Sequence, residues 1–340
     1  MNEHFIKNIE IKNFKCFDNF KAEGFGRVNL IGGKNNVGKS TLLEALYINL
    51  NGSNTNWFLN SIFEIIRKRD NFFVAHSAKS AFNFFKTAFA FKTMMSKDYK
   101  NDTQNNINTN QNEVSFSFLE KFSGTSISYV INKKSSEENI SLIDFKDLFN
   151  DAKRYNTDCT VHFLRPIGLS NVFIEEYYAN VQKLEAESRL DESLNIFDNK
   201  IKKFKIINSE PQVLQNDEYI SITQLGDGTK KLINIFISIY SANNSILLID
   251  ELDNGIHYSH LDKLWEIILT ISKEQNVQVF ATTHSKECIE SYARVAEKLD
   301  DKDITMTTMA RNLKDELKAL VWDRAQFFSE MEQNHEVRGW

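Results

Sequence analysis

The period of apolar positions changes several times along the chain, and each change marks an element. Residues 5–12 alternate, with Phe5, Ile9 and Ile11 as the apolar points, and predict a strand. Arg-Val-Asn-Leu-Ile at 27–31 predicts a short strand that runs into a glycine turn, and 39–49 has helical spacing. The result is a strand–loop–helix unit, with the loop at the C-terminal end of the strand.

From 51 to 160 the pattern loosens. Segments 57–68 and 79–95 have helical, aromatic-rich spacing, and Phe82, Phe85 and Phe89 share one face. Residues 101–112 hold eight Asn or Gln in twelve positions and predict a mobile polar loop, counted from residue 97. Residues 113–119 and 126–132 alternate like a hairpin. This stretch, 51–159, reads as an α+β insertion lobe.

The second half returns to order. Residues 159–165 predict a strand, 172–188 and 192–204 helices, and 218–223 a strand. A strongly apolar helix follows a Gly-Asp-Gly turn at 228–241. Ser245–Asp250 is a buried strand, 257–272 a helix, 277–282 a strand and 285–298 a helix. Strands alternating with helices imply an α/β fold with a mostly parallel sheet flanked by helices. A further strand (304–309) and a charged helix (323–334) form a C-terminal extension from 301.

Composition narrows the picture little. Apolar residues make up 41% of 340, enough for a large core, and the net charge of −5 does not suggest a surface coated for nucleic acid. Cys16, Cys159 and Cys288 are far apart and odd in number, which suits a reducing cytoplasm rather than a disulfide framework or a zinc site. No secretory signal or stretch of about 20 apolar residues is visible, so a membrane role is not expected.

The candidate chemistry lies at the strand ends. Gly33-Lys34-Asn35-Asn36-Val37-Gly38-Lys39-Ser40 matches the phosphate-binding pattern GxxxxGK[ST], after a strand and before a helix. The glycines let backbone N–H groups curl around phosphate oxygens, and the helix N-terminus adds positive potential. Lys39 is expected to reach the β- and γ-phosphates of ATP, and Ser40 to ligate Mg²⁺. Ser245-Ile-Leu-Leu-Ile-Asp250-Glu251 is an apolar strand ending in two acids. Asp250 suits the metal, and Glu251 suits the base that activates water. Ala281-Thr282-Thr283-His284-Ser285 ends the next strand and offers an imidazole.

Taken together, this order resembles the ABC ATPase superfamily, and within it the RecF/SMC/OLD branch. The resemblance rests on Ile11-Lys12-Asn13-Phe14-Lys15-Cys16-Phe17, on Asn36 to Leu46 (with Thr41 in the phosphate loop) and on Ile249 to His257. It covers about 1–50 and 160–300. It implies an ATPase head, a switch role for His284 at the γ-phosphate, and a head-to-tail dimer. In such a dimer a signature segment of one copy closes on the nucleotide of the other. The matching segment here is Leu225-Gly226-Asp227-Gly228, in which Gly226 replaces the usual serine and Asp227 adds negative charge near phosphate unless it points away and caps the helix, so slow turnover is expected. Lys15 either approaches the nucleotide, as basic residues there do in the branch, or is a solvated strand-end lysine. No glutamine before residue 225 is assigned to the branch's Q-loop.

The resemblance also separates functions. Ser40 and Leu225 are 185 residues apart, unlike a transporter domain, and no zinc hook or long coiled coil intervenes. OLD proteins proper continue into a TOPRIM nuclease, for which the 56 residues after His284 leave no room. The chain is therefore similar to the stand-alone ATPase subunit of two-gene anti-phage systems of the PARIS type. That implies a separate TOPRIM-type effector nuclease and a phage-encoded trigger. A RecF-like DNA-repair ATPase is the alternative, with nucleic acid possible but not indicated. A binding module with vestigial hydrolysis fits less well, because Lys39, Ser40, Asp250, Glu251 and His284 are all present.

Overall fold

The computed structural model describes residues 4–69, 104–121, 124–132, 134–140 and 161–333. The expected helix 79–95, its phenylalanines and Cys159 lie outside these residues.

Four strands form the centre: β3 (Val28–Gly33), β8 (Val161–Leu164), β12 (Ile246–Ile249) and β13 (Gln278–Thr282). They run parallel in the order β3-β13-β12-β8, and every residue in them is buried. That explains why they read as continuous apolar runs, since a parallel sheet is covered on both faces. Successive side chains serve opposite layers. Leu30, Leu247, Ile249, Val279 and Ala281 enter one core, while Ile31, Leu248, Phe280 and Phe163 enter the other.

The first core packs beneath α3 (Asn171–Lys183), α5 (Asp227–Ser241), α6 (Leu261–Glu274) and α7 (Lys286–Lys298). The second contains α1 (Lys39–Leu50) and α2 (Thr55–Arg69), which lie between the central sheet and a second, antiparallel sheet. The second sheet has the order β2-β1-β4-β5-β6-β7, with β1 at Asn8–Phe14 and β2 at Phe17–Glu23. Its other strands are β4 (Asn105–Thr109), β5 (Glu113–Lys121), β6 (Gly124–Ile131) and β7 (Lys134–Ile140). Phenylalanines fill the interlayer: Phe17 meets Phe20 at 4.4 Å between centroids, and Phe58 meets Phe116 at 5.8 Å. A third sheet, β11-β10-β9, comprises β9 (Ile201–Ile207), β10 (Glu210–Gln215) and β11 (Glu218–Ser221), with β9 packed on α4 (Glu187–Phe197).

Three expectations need correction. The polar loop expected through 97–112 contains β4, which joins β1 and β5. Asn105 is fully buried and donates to the Phe116 carbonyl at 3.0 Å, so its amide is spent inside the sheet. The expected helix 192–204 splits into the end of α4 and strand β9. The division at 301 does not fall at a sheet boundary. Strand β14 (Ile304–Arg311) pairs parallel with β3, β15 (Leu317–Asp323) pairs antiparallel with β14, and α8 (Arg324–Glu332) follows. Arg27, at the entry to β3, is held by a buried ion pair to Asp301.

Candidate functional site

Strand β3 delivers the loop 33–40 to the C-terminal edge of the central sheet, where α1 begins. The loop needs its glycines. Gly38 has φ +85°, and a Cβ there would lie 2.9 Å from the Cys16 sulfur. A Cβ on Gly33 would lie 2.7 Å from the Met309 carbonyl oxygen. Asn36 also has positive φ, a conformation asparagine tolerates, and with Asn35 it is exposed. Val37 is buried against Gly33 and anchors the loop. Gly38 is the N-cap of α1 and supplies no side-chain cap, so the first-turn N–H groups remain open to an anion. Thr41 is buried, with its hydroxyl bonded to the Cys16 thiol.

Lys39 folds back over its own loop. Its ammonium donates to the carbonyls of Gly33 at 2.7 Å and Lys34 at 2.8 Å. Partial burial holds its pKa below the usual lysine value, opposed by Asp250, Glu251 and Asp253. A phosphate would exchange with two neutral carbonyls, which are weaker partners for an ammonium than an anion.

The other half of the site comes from β12 and β13. Asp250 is buried, and its Oδ1 accepts from Ser40 Oγ at 3.0 Å and from Thr282 Oγ1 at 2.7 Å. The Ser40 and Asp250 oxygens thus converge, and such hard donors fit Mg²⁺, which keeps its remaining positions for water and phosphate. Glu251 has φ +50°, a strained value for a non-glycine residue. Two bonds hold that turn: Glu251 N–H donates to Thr282 Oγ1 at 2.8 Å, and Leu252 N–H to the Thr282 carbonyl at 2.9 Å. Asn254 Nδ2 donates to the Glu251 carboxylate at 3.2 Å. His284 is exposed at the end of β13, between β3 and β12.

Leu225 and Gly226 precede α5, and Gly226 is its N-cap, without a side-chain cap and with open space around it. Asp227 is 96% exposed and pairs with Lys230 at 3.2 Å, so it neither caps the helix nor fills the space before Gly226. Gly228 packs on the turn that follows Glu251; a Cβ there would lie 2.2 Å from the Gly255 carbonyl oxygen. The sequence placed Gly226–Gly228 by order alone. The structure shows that Gly228 packs on the Asp250–Gly255 turn of its own chain, while Gly226 stands clear of it.

Lys15 is not a solvated strand-end lysine. Its ammonium is buried, pairs with Glu44 of α1 and lies over the Phe14 ring. Bringing it to a phosphate would break that pair, which is costly once the partner carboxylate is buried.

Four residues that the motifs did not assign belong to the site. Thr282 fixes both Asp250 and the Glu251 turn, and Thr283 Oγ1 donates to Asp253 at 2.7 Å. Lys231 of α5 is buried and donates to the carbonyls of Asp250 at 3.1 Å and Arg165 at 3.4 Å. Burial pulls its pKa down to about 8. The Thr282-Thr283 pair lies within the strand-end motif at 281–285. Lys231 and Arg165 carry no spacing signal, because only the tertiary fold brings them to Asp250.

Comparison with known proteins agrees with this geometry. A Helicobacter pylori protein named "ATP/GTP phosphatase" is 28% identical over 334 residues, covering 87% of this chain and 89% of its own. Two solved structures share the fold. One is an Smc head domain with an extended coiled coil, bound to the C-terminal domain of ScpA derived from Pyrococcus furiosus. It has a TM-score of 0.53 and 12% identity, covering 97% of this chain and 99% of the other. The second is an SmcHead bound to the C-winged helix domain of ScpA, with a TM-score of 0.50 and 13% identity, covering 96% and 99%. Residues 28–290 match the family described as "AAA domain, putative AbiEii toxin, Type IV TA system". That match takes in the loop from β3, the acids after β12 and the end of β13; the chain shares the fold of the Smc heads, belongs to this AAA family and is an ATP-hydrolysing enzyme.

Proposed function

We propose that the protein is a Mg²⁺-dependent switch ATPase whose site is completed by a second copy of the chain. The observation that carries this reading is the uncapped, unobstructed start of α5 at Gly226. A helix N-terminus with open N–H groups is an anion site, and here it adjoins the turn that carries Glu251. In this scheme Lys39 leaves the carbonyls of Gly33 and Lys34 for the β- and γ-phosphates. Ser40 and Asp250 would hold Mg²⁺, which when bound would supply positive charge to offset the negative charge developing on the phosphates. Glu251, steadied by Asn254, accepts the proton of the attacking water. The water oxygen bonds to the γ-phosphorus as the bridging oxygen departs with ADP. His284 meets the γ-phosphate, and Gly226–Gly228 of the other copy close over it.

The output of the switch is the control of a separate effector of the TOPRIM nuclease type, in anti-phage defence, with a phage-encoded trigger. The two-gene resemblance supports this, as does a family description that includes a toxin system. The Smc heads of the same fold bind a second protein, ScpA. Native mass spectrometry of the Glu251→Gln variant, co-expressed with its neighbouring genes, tests the reading. With ATP and Mg²⁺ the variant should form a trapped dimer that holds or releases a nuclease-like protein, while turnover falls by about 10²–10⁴-fold. A protein that stays monomeric with ATP overturns the two-copy site. A dimer without a protein partner, whose hydrolysis rises with DNA, selects the RecF-like alternative.

A further inference from the structure

Arg165 follows β8 at the same edge of the sheet as the nucleotide site. In the β8–β12 register Leu164 is opposite Ile249, so Arg165 stands level with Asp250, one strand spacing away. Such a spacing is about 4.8 Å, well within the reach of an arginine side chain. The Asp250 N–H donates to the Leu164 carbonyl at 2.8 Å, which fixes the two strand ends together.

The side chain lies on the α1 side of the sheet. Arg165 and Phe163 share a face by strand alternation, and the guanidinium carbon sits 4.6 Å from the centroid of the Phe163 ring. That ring meets Tyr47 of α1 at 5.3 Å. Tyr47 and Ser40 share one face of α1, two turns apart, and Ser40 reaches Asp250. The guanidinium therefore lies between β8 and the helix that opens at Lys39.

It is also buried without an anion. Arg165 is 8% exposed, and among the described residues its Nε and Nη2 have no hydrogen-bond partner. Asp250, the acid level with it, is already committed to Ser40 and Thr282. A buried charge is normally paired, because removing it from water is expensive. The carbonyl of Arg165, by contrast, is engaged twice: it accepts from Gly168 N–H at 2.9 Å and from Lys231 of α5.

We propose that Arg165 is a ligand of the terminal phosphate of the bound nucleotide. The inference rests on the nucleotide site described above. The loop from β3 would take the β-phosphate, and the triphosphate would run toward Asp250 and Glu251. Arg165, beyond Asp250 in strand order, then meets the end of the chain that ATP has and ADP lacks. The anion completes a guanidinium that the described residues leave unpaired. Because Lys231 grips the Arg165 carbonyl, the same contact bears on α5, the helix that begins at Asp227.

Equilibrium binding of ATP and ADP with Mg²⁺ tests this in the full chain, in the Glu251→Gln background so that ATP survives. Arg165→Gln should weaken ATP about tenfold to hundredfold and leave ADP within about twofold, since one charge-assisted contact is lost. Arg165→Lys, which keeps the charge over Phe163 but not the planar fork, should lose an intermediate amount from ATP alone. Melting of the nucleotide-free proteins is read alongside. Unchanged ATP affinity in both variants, or equal losses for ATP and ADP, overturns the assignment while leaving the site itself standing. A Glu251→Gln parent that binds neither nucleotide overturns the site as well.

Discussion

The Lys39 ammonium rests on the Gly33 and Lys34 carbonyls, and Ser40 bonds to Asp250. Lys39 and Ser40 lie in one loop, and Asp250 ends an apolar run, so their chemistry follows from order and local context. Thr282, Lys231 and Arg165 come from three other segments. Thr282 stands in a strand-end motif that gave it no role, and nothing in the spacing marks Lys231 or Arg165; hydrogen bonds at the Asp250–Glu251 turn and between Lys231 and the Arg165 carbonyl do. The position of Lys39 makes a simple prediction. Its bonds to Gly33 and Lys34 are local and half-exposed, so Lys39→Met should cost less than about 1 kcal/mol of apo stability. It should lower ATP affinity at least tenfold, because a phosphate loses its ammonium. A fluorescent nucleotide titration beside a urea melt separates the two effects, and unchanged turnover would remove Lys39 from the site.

Whole elements were legible where one period ran undisturbed. The strand and helix around the phosphate loop, and the alternation from 228 to 298, match the structure within a few residues. β9 misled because Ile201 and Phe204 are buried three apart while Lys202 and Lys203 are both exposed, a spacing that imitates a helix. β4 misled because asparagine is rare in strands, and the amide pairing of Asn105 depends on β5. The start of α5 carries a prediction that order alone would have misdirected. Gly228 touches the Gly255 carbonyl of its own chain, so Gly228→Ala should destabilise the monomer by about 1–3 kcal/mol before any partner is considered. Gly226 has extended φ and open space, so Gly226→Glu should melt within a few degrees of the parent. It should nonetheless abolish ATP-driven dimerisation through like-charge repulsion at the phosphate. Sedimentation velocity with ATP reads the second effect; a normal dimer of this variant would move the closing surface elsewhere.

At the level of the whole molecule, both cores depend on groups that must stay uncharged or paired. His162 in β8 is buried beside Tyr177, its Nδ1 has no hydrogen-bond partner among the described residues, and burial lowers its pKa to about 4. The unfolded chain binds this proton near pH 6.5, so between about 6.5 and 4 it holds more protons than the folded chain, and stability falls as the pH drops. The contribution is fully present above pH 6.5 and amounts to a loss of about 2 kcal/mol on going from pH 7 to 5. His162→Leu should flatten that part of the urea-midpoint profile; an unchanged slope would assign acid sensitivity to other groups. Composition showed a core large enough for such a fold, but not its layering, because β14 comes from beyond the last motif and inserts beside β3. That insertion has a consequence for biosynthesis. Until residue 311 has left the ribosome, the strand that carries the phosphate loop is an open edge, and the Met309 carbonyl that packs on Gly33 is missing. The nascent chain therefore presents an unpaired hydrophobic border until β14 is made, the kind of surface that chaperones shield and that pairs wrongly when crowded. Nucleotide binding should accordingly appear late and abruptly in a series of stalled nascent chains, rather than when Lys39, Asp250 and His284 have merely been synthesised.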